Sequence, residues 1–327
     1  MIRRLINTFN QRAQASIIRF RIIVYNSFRR RKQKKELFFK IKSAISSPKH
    51  TTFNSSQERN VELKDEDKKL SQVIVTCYFT RKPDPQNGQI RNSAEFSFIK
   101  PWYDSVMKIG VHGIVLHDGL EQSFIDQYSN DRIQFRFCHL GNYSIFEERW
   151  LLYHLFLSKL TNLKNVFFTD SNDVNITKNP FHLIQNSLAF YVGRDNANRV
   201  KDSGWLKAEC DQFLIESQYD LPVTYNYQWV YNAGVAGGSR NVMFFVTNEM
   251  SKLIFQATSL EHKDMTLLNI VIHSHFFPKL SYRHWQQKLV DIANDQTAAH
   301  ENLLTGYPLN SGFKDYDANS DAYFIHK

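Results

Sequence analysis

The chain has little cysteine, proline or glycine: only 3 Cys, 8 Pro and 12 Gly occur among its 327 residues. The cysteines, Cys77, Cys138 and Cys210, are far apart and form no CxxC pair, which argues against a disulfide framework and a cysteine zinc site. A collagen-like or wholly disordered chain is excluded too, because 42% of the residues are hydrophobic and 14% are aromatic. The length allows one large domain or two smaller ones.

The sequence also lacks a long apolar run. Arg19 and Arg21 interrupt the best candidate, residues 17–25, which is well short of the ~18–20 residues of a membrane-spanning helix. Apolar residues recur every three or four positions over residues 1–28, and residues 1–50 hold fourteen Lys and Arg but a single acid. This pattern predicts a basic amphipathic helix, suited to an anionic membrane surface. Packing on the body of the protein and binding to nucleic acid are the alternatives.

Charge and composition divide the chain into three parts. We predict a basic amphipathic, membrane-associating arm at residues 1–42, a polar linker at residues 43–71 and a folded domain at residues 72–327. Acids slightly outnumber bases beyond residue 50, so no nucleic-acid partner is expected. We expect a membrane-associated protein, with the cytoplasmic face favoured over a secretory lumen.

From residue 72 onward, short β-branched or aromatic runs alternate with helical stretches. Strands are predicted at 73–78, 113–117, 133–138, 165–169, 188–193 and 233–238. Helices are predicted at 94–107, 122–128, 147–160, 241–255 and 264–275. The alternation indicates an α/β domain with a mostly parallel sheet flanked by helices. Ligands bind such sheets at the carboxyl ends of the strands, so the polar residues that follow each strand are the first candidates for a site.

A pair of acids follows one of these strands. The buried-looking segment NVFFT (165–169) leads directly into Asp170, Ser171, Asn172 and Asp173. A tight turn can bring Asp170 and Asp173 to one divalent cation, and hard oxygen ligands favour Mg²⁺ or Mn²⁺ over zinc. The alternative is an Asx-rich turn that caps the next element.

Several motifs over residues 73–327 occur in the same order as in one enzyme family. The motifs are VIVTCYFT (73–80), IVLHDGL (114–120), EERWLLYHLFL (147–157), FFTDSNDVNITKNPF (167–181), YNAGVAGGSR (231–240), DMTLLN (264–269) and the ending GYPLNSGFK…AYFIHK. The chain is similar in these to glycosyltransferases of the GT-A type. The resemblance implies a GT-A, Rossmann-like domain in which acids at a strand end hold a metal on the diphosphate of a nucleotide sugar. The spacing Asp-x-x-Asp departs from the commoner Asp-x-Asp.

The resemblance also implies roles for single residues. Asp170, Asp173 and His326 are the expected metal ligands. The expected contacts with the nucleotide, the phosphates or the donor sugar are Thr80, Arg81, Asp118, Arg149, Lys314 and Lys327. Asn232 is expected to contact the transferred sugar, and Asp264 to face the sugar or act as a base toward the acceptor.

Each of these roles has a plainer alternative. Asp118 can begin a turn with Gly119, Arg149 can pair with Glu148 at the surface, and Asp264 can be a helix N-cap. His326 and Lys327 can belong to a frayed terminus, although residues 322–325 are apolar enough to dock on the domain.

The predicted function is transfer of a hexose from a nucleoside-diphosphate sugar, with UDP favoured, to a hydroxyl of a glycan or lipid-linked saccharide. Mn²⁺ or Mg²⁺ is the expected cofactor, and the resemblance favours retention of configuration. A metal-dependent nucleotidyltransferase is a second hypothesis, although residues 80–83 lack the glycine-rich loop of that chemistry. The third is a catalytically silent, membrane-associated binding module.

Overall fold

The structure is a computed structural model of the 327-residue chain. It describes residues 35–36, 38–44, 59–184, 187–217, 225–226, 228–257, 263–276 and 323–326.

From Asn60 onward, nine strands and six α-helices follow one another in the described part of the chain. The strands are β1 (Asn60–Val61), β2 (Gln72–Tyr78), β3 (Gly113–His117), β4 (Ile133–His139), β5 (Asn165–Thr169), β6 (Val174–Ile176), β7 (Phe190–Arg199), β8 (Trp229–Ser239) and β9 (Phe324–His326). The helices are α1 (Phe96–Ile109), α2 (Gln122–Tyr128), α3 (Ile145–Lys159), α4 (Gly204–Ser217), α5 (Arg240–Gln256) and α6 (Asp264–His275).

Seven of the strands form one sheet in the order β1-β4-β3-β2-β5-β8-β7. Strands β4, β3, β2 and β5 are parallel neighbours, whereas β8 is antiparallel to both β5 and β7, and β1 is antiparallel to β4. Strand β7 therefore runs in the same direction as β4, β3, β2 and β5. Five of the seven strands point one way, which confirms the predicted α/β class with a mostly parallel sheet.

The chain changes direction across the sheet between β2 and β5. From β2 the parallel strands proceed outward to β3 and β4, and the chain then returns to place β5 on the other side of β2. Two neighbouring strands whose connections leave in opposite directions open a crevice at their carboxyl ends. The loops after Tyr78 and Thr169 border this crevice.

Helices cover both faces of the sheet. One apolar cluster joins one face to α3, α5 and α6, with Trp150, Phe156 and Phe245 among its buried side chains. A second cluster joins the other face to α1 and α2 around Trp102 and Phe124, and it includes residues of β6 and β9. Burial on both faces explains why the central strands are apolar runs instead of alternating ones.

The sequence predicted the central elements well and the outer ones less well. The predicted bounds of β3, β5, α2 and α6 match the structure, and the predicted docking of the C-terminal apolar residues is confirmed by β9. Strand β7 continues six residues beyond its predicted end, because its polar second half is held by pairing with β8 across register shifts. Helix α4 was not predicted, and it begins with a glycine.

Residues 59–71 fall in the segment predicted as a linker, and the structure packs them on the domain. Strand β1 pairs with β4, and the Asp67 carboxylate accepts two hydrogen bonds from the Arg136 guanidinium at 2.6 and 2.7 Å. Both side chains are buried. A bidentate, fully buried pair of this kind holds the segment against the edge of the sheet.

Little of the predicted arm lies within the described residues, and the amphipathic segment 1–28 lies outside them. Residues 38–44 are helical, with Ile41 buried in the core cluster and Phe38 and Phe39 exposed. The end of the arm is therefore packed on the body. Within the described part of the chain, no helix combines the length and apolarity needed to cross a bilayer.

The first prediction concerns the contact between β5 and β8. Gly237 lies opposite Phe167, and a Cβ added to it would come within 2.0 Å of that aromatic ring. We expect Gly237→Ala to lower the free energy of unfolding by about 1–3 kcal/mol, because the Phe167 ring has to leave its packed position. Urea unfolding followed by circular dichroism measures the change.

Gly204→Ala is the matched control. An added Cβ at Gly204 meets no atom within 4 Å, and the residue begins α4, where alanine is the better helix former. We expect unchanged or slightly raised stability for this variant. Equal unfolding midpoints for the two variants would contradict the packing at Gly237.

Candidate metal site and cleft

The acidic turn after β5 is anchored at the centre of the sheet. The Thr169 carbonyl accepts a hydrogen bond from the Thr76 hydroxyl at 2.9 Å, and the Thr169 hydroxyl accepts one from the Trp102 indole at 2.8 Å. The Asp170 amide then donates to the Gly234 carbonyl of β8 at 2.8 Å. Because the backbone is fixed on both sides, the carboxylates of Asp170 and Asp173 project from a rigid base.

The C-terminal strand brings a histidine to these acids. Strand β9 is antiparallel to β6, and its register sets His326 opposite Val174. His326 Nε2 lies 3.3 Å from Asp173 Oδ2 and 3.7 Å from Asp170 Oδ2. Residues more than 150 positions apart in the sequence thus form one cluster, and one ligand atom from each lies within 4.8 Å of the others.

A glycine provides the space for this cluster. A Cβ added to Gly234 would lie 2.4 Å from His326 Cε1 and 2.7 Å from Asp170 Oδ2. Any side chain here would therefore push the imidazole and the carboxylate apart. The close approach of the β8 backbone explains why a glycine occupies this position of the strand.

Arg149 orients the Asp170 carboxylate from the opposite side. Its guanidinium donates to Asp170 Oδ1 and to Asp264 Oδ2, which leaves Asp170 Oδ2 toward His326. Burial lowers the pKa of Arg149, but the charges of Asp170 and Asp264 outweigh burial and raise it well above its ordinary value. The predicted alternative, a pair with Glu148, is wrong, since the described ion pairs of Glu148 are with Arg59 and Lys82.

The cluster suits a divalent cation. Its donors are two carboxylates and an imidazole, which Mn²⁺ and Mg²⁺ accept more readily than a thiolate set. Asp173 Oδ1 is buried and has no hydrogen-bond partner among the described residues, which is costly unless a ligand supplies one. Burial lowers the pKa of His326, whereas its hydrogen bond with Asp173 and the charges of both acids raise it overall. A cation bound to this imidazole would displace the proton that the raised pKa favours.

A cavity of about 610 Å³ opens in front of the cluster. One wall follows β2 and consists of Phe79, Asp84, Gln86 and Arg91, and the floor includes Cys77, Tyr153 and the 169–173 turn. The other wall consists of Asn232, Ala233 and Gly234 of β8, Trp205 and Glu209 of α4, and Asp264 and Met265 of α6. A cavity of this volume falls in the size range of small-molecule sites.

Asn232 and Asp264, the residues expected to contact the sugar or the acceptor, both line this cavity. The Asn232 side-chain oxygen accepts from the Gly234 amide at 2.5 Å, which tightens the β8 backbone beside the metal cluster. Asp264 is the first residue of α6, and Lys263 holds the N-cap position, so the alternative role of Asp264 as N-cap is wrong. Its oxygens accept from Arg149 and from the Met265 amide.

Thr80, Arg81 and Asp118, which were predicted to contact the nucleotide, do not line the cavity. The Asp118 carboxylate is buried and accepts from the backbone amides of Thr80 and Arg81, at 2.6 and 3.1 Å, and from the Thr80 hydroxyl at 3.2 Å. Asp118 thus fixes the loop after β2, because three donors already occupy its oxygens. Lys314 and Lys327, the two predicted phosphate contacts near the terminus, lie outside the described residues.

Sequence reasoning missed several residues of the cavity. Asp84 and Arg91 form an ion pair at 2.5 Å on the β2 wall, and Arg91 also lies over the Phe98 ring. Trp205 and Glu209 come from α4, the helix that was not predicted. Asp84 follows the first predicted strand closely, which was a usable signal, whereas nothing in the local pattern singled out Trp205.

The second prediction tests the space at the cluster. We expect Gly234→Ala to weaken Mn²⁺ binding about tenfold or more, because the added methyl separates His326 from Asp170. Isothermal titration calorimetry with MnCl₂ on the folded protein measures it. Gly204→Ala, with open space around its Cβ, is expected to bind Mn²⁺ like the unchanged protein. Equal affinities for all three proteins would contradict the site.

Comparison with known proteins gives a likeness in structure alone. No family profile and no curated protein matches the sequence. Among solved structures, the galactosyltransferase LgtC in complex with donor and acceptor sugar analogs is similar over 78% of this chain and 86% of that chain. The identity is 13% and the TM-score is 0.46. This similarity is one of overall fold.

Proposed function

We propose that this protein is a metal-dependent glycosyltransferase of the GT-A type that transfers a hexose from a nucleoside-diphosphate sugar to a hydroxyl group. The observation that supports this most is the Asp170, Asp173 and His326 cluster, which lies at the carboxyl end of the central strands and opens into a polar cavity. Acids and a histidine brought together from distant parts of the chain are not expected of a turn that merely caps the next element.

The chemistry follows from the charges. Asp170, Asp173 and His326 would hold a Mn²⁺ or Mg²⁺ ion, which would supply the positive charge that makes the sugar-bearing diphosphate a better leaving group. The acceptor oxygen forms a bond to the anomeric carbon as the bond from that carbon to the diphosphate oxygen breaks. The electron pair of the broken bond leaves with the diphosphate. The hydroxyl proton passes to the leaving phosphate oxygen on retention of configuration, which we favour, or to a carboxylate on inversion.

The nucleoside half of the donor would lie along the β2 wall. Gln86 and Arg91, which pairs with Asp84, are the polar side chains of this wall that could donate to the ribose or the base. This wall adjoins the direction change between β2 and β5, where open α/β sheets bind their ligands. UDP is the nucleotide that we favour, with Lys314 and Lys327 as further phosphate contacts.

Asn232 and Arg149 line the part of the cavity beside the metal cluster, where the donor sugar would bind. Asn232 lies on β8 beside the metal cluster, in a position to hydrogen-bond the transferred hexose. Arg149 holds Asp170 in place and adds positive charge where the diphosphate separates. Asp264 is the base that inversion would require, and it would have to exchange its hydrogen bond with Arg149 for one with the acceptor.

We also propose that the arm, residues 1–42, attaches the enzyme to an anionic membrane surface, where a glycan or glycolipid acceptor is available. The excess of Lys and Arg in this segment supports the proposal. So does the exposure of Phe38 and Phe39, since aromatic side chains insert readily at the lipid interface. We favour the cytoplasmic face.

The third prediction tests the enzyme. A set of UDP- and GDP-sugars is screened for hydrolysis with and without Mn²⁺, and one donor is expected to react only with the metal. Asp173→Asn is expected to lower kcat/KM on the order of 10²-fold, because it removes a ligand charge with little change of shape. Asp104→Asn, at an exposed carboxylate on α1, is the control and is expected to keep full activity.

The outcome also separates the hypotheses. No metal-dependent turnover of any sugar nucleotide would overturn the proposed function and favour a binding module. Release of pyrophosphate from a nucleoside triphosphate and a sugar phosphate would indicate the nucleotidyltransferase instead.

The fourth prediction tests the arm. Deleting residues 1–34 removes most of the basic charge but keeps Ile41, which is buried in the core. We expect the shortened protein to stop sedimenting with phosphatidylserine vesicles and to keep its turnover of a soluble donor. Phe38→Ser with Phe39→Ser in the full chain is expected to weaken sedimentation. Sedimentation of the shortened protein at the full-length level would contradict the proposal.

A further inference from the structure

We infer that Trp205, with Glu209 beside it on α4, forms the subsite for the acceptor, and that this acceptor is a saccharide. The inference rests on the proposed function and assigns residues to the acceptor half of that site. It starts from an aromatic side chain that the fold leaves half open to solvent at the border of the cavity.

Trp205 differs from the other exposed apolar residues by its position. The large apolar side chains that are exposed in the described part of the chain are Phe38, Phe39, Ile90, Met107, Trp205 and Ile215. Of these, Trp205 alone lines the cavity that holds the metal cluster, and it is 50% exposed. Single exposed apolar residues are ordinary on protein surfaces, so its placement on the cavity wall is what points to a ligand.

The order of the strands places Trp205 away from the donor wall. Four strands lie side by side in the order β2, β5, β8 and β7, with β7 at the edge of the sheet. Phe79 follows β2, Asp170 follows β5, Asn232 lies in β8, and β7 leads to α4. The metal cluster therefore lies between the two walls. A donor that extends from the metal toward β2 leaves the Trp205 wall to the molecule that receives the sugar.

Helix α4 presents two side chains suited to a saccharide. Trp205 and Glu209 are four residues apart, so they share one face of the helix, and both line the cavity. Glu209 accepts a hydrogen bond from Thr266 of α6, which ties α4 to the helix that begins with Asp264. A sugar ring has an apolar face of C–H groups that stacks on an indole and hydroxyls that a carboxylate can accept from.

The experiment measures saccharide binding and catalysis separately. Methyl β-D-galactopyranoside, methyl β-D-glucopyranoside and methyl α-D-mannopyranoside serve as probes, each titrated into the full chain with UDP and Mn²⁺ by isothermal titration calorimetry. We expect at least one probe to give saturable heats of binding. Trp205→Ala is expected to abolish those heats and to raise the KM for the probe as acceptor tenfold or more.

Further variants show that the effect is local. Trp205→Phe keeps a stacking surface and is expected to restore most of the affinity. Ile215→Ala, an exposed apolar position of the same helix outside the cavity lining, is expected to behave like the unchanged protein. Hydrolysis of the donor in the absence of acceptor is expected to stay within twofold in Ile215→Ala, because Ile215 does not line the cavity.

Two results would overturn the inference: no saturable heats of binding with any of the three probes, or unchanged probe affinity in Trp205→Ala. Neither depends on the donor reaction, since calorimetry reports binding alone. Conversely, saccharide binding through Trp205 in a protein that turns over no sugar nucleotide would refute the proposed function and leave the saccharide subsite standing.

Discussion

The site depends on how the fold neutralises three carboxylates gathered at one edge of the sheet. Asp170, Asp173 and Asp264 would repel one another in a partly buried cavity, and unpaired buried charge is costly. Arg149 offsets two of them by bridging Asp170 and Asp264, and His326 lies beside Asp170 and Asp173. The arrangement still leaves a buried oxygen of Asp173 without a partner among the described residues, which is where a divalent cation fits.

The sheet explains why these charges meet. The direction change between β2 and β5 opens the crevice, and β8, antiparallel to β5, brings the backbone of Gly234 against the Asp170 carboxylate. Strand β9 then carries His326 to the same place through its pairing with β6. Each contact uses backbone pairing that fixes register, so the positions of the ligands follow from the strands and not from flexible loops.

The same topology separates the roles of the two cavity walls. The wall after β2 contains the ion pair of Asp84 with Arg91, whereas the wall built by β8, α4 and α6 combines an indole with carboxylates. A reaction that joins two substrates at a metal needs two such surfaces on either side of it. The binding of donor and acceptor proposed above assigns one wall to each.

The sequence by itself determined the α/β class, the bounds of the buried central elements and the acidic turn, because burial on both sides of a strand and hydrophobic periodicity in a helix are local patterns. It did not show that Asp118 binds the Thr80 and Arg81 amides, nor that α4 brings Trp205 to the cavity. Only the tertiary structure decided these contacts and the partners of Arg149. They join residues distant in sequence, and their geometry depends on strand order and register, which no local pattern encodes.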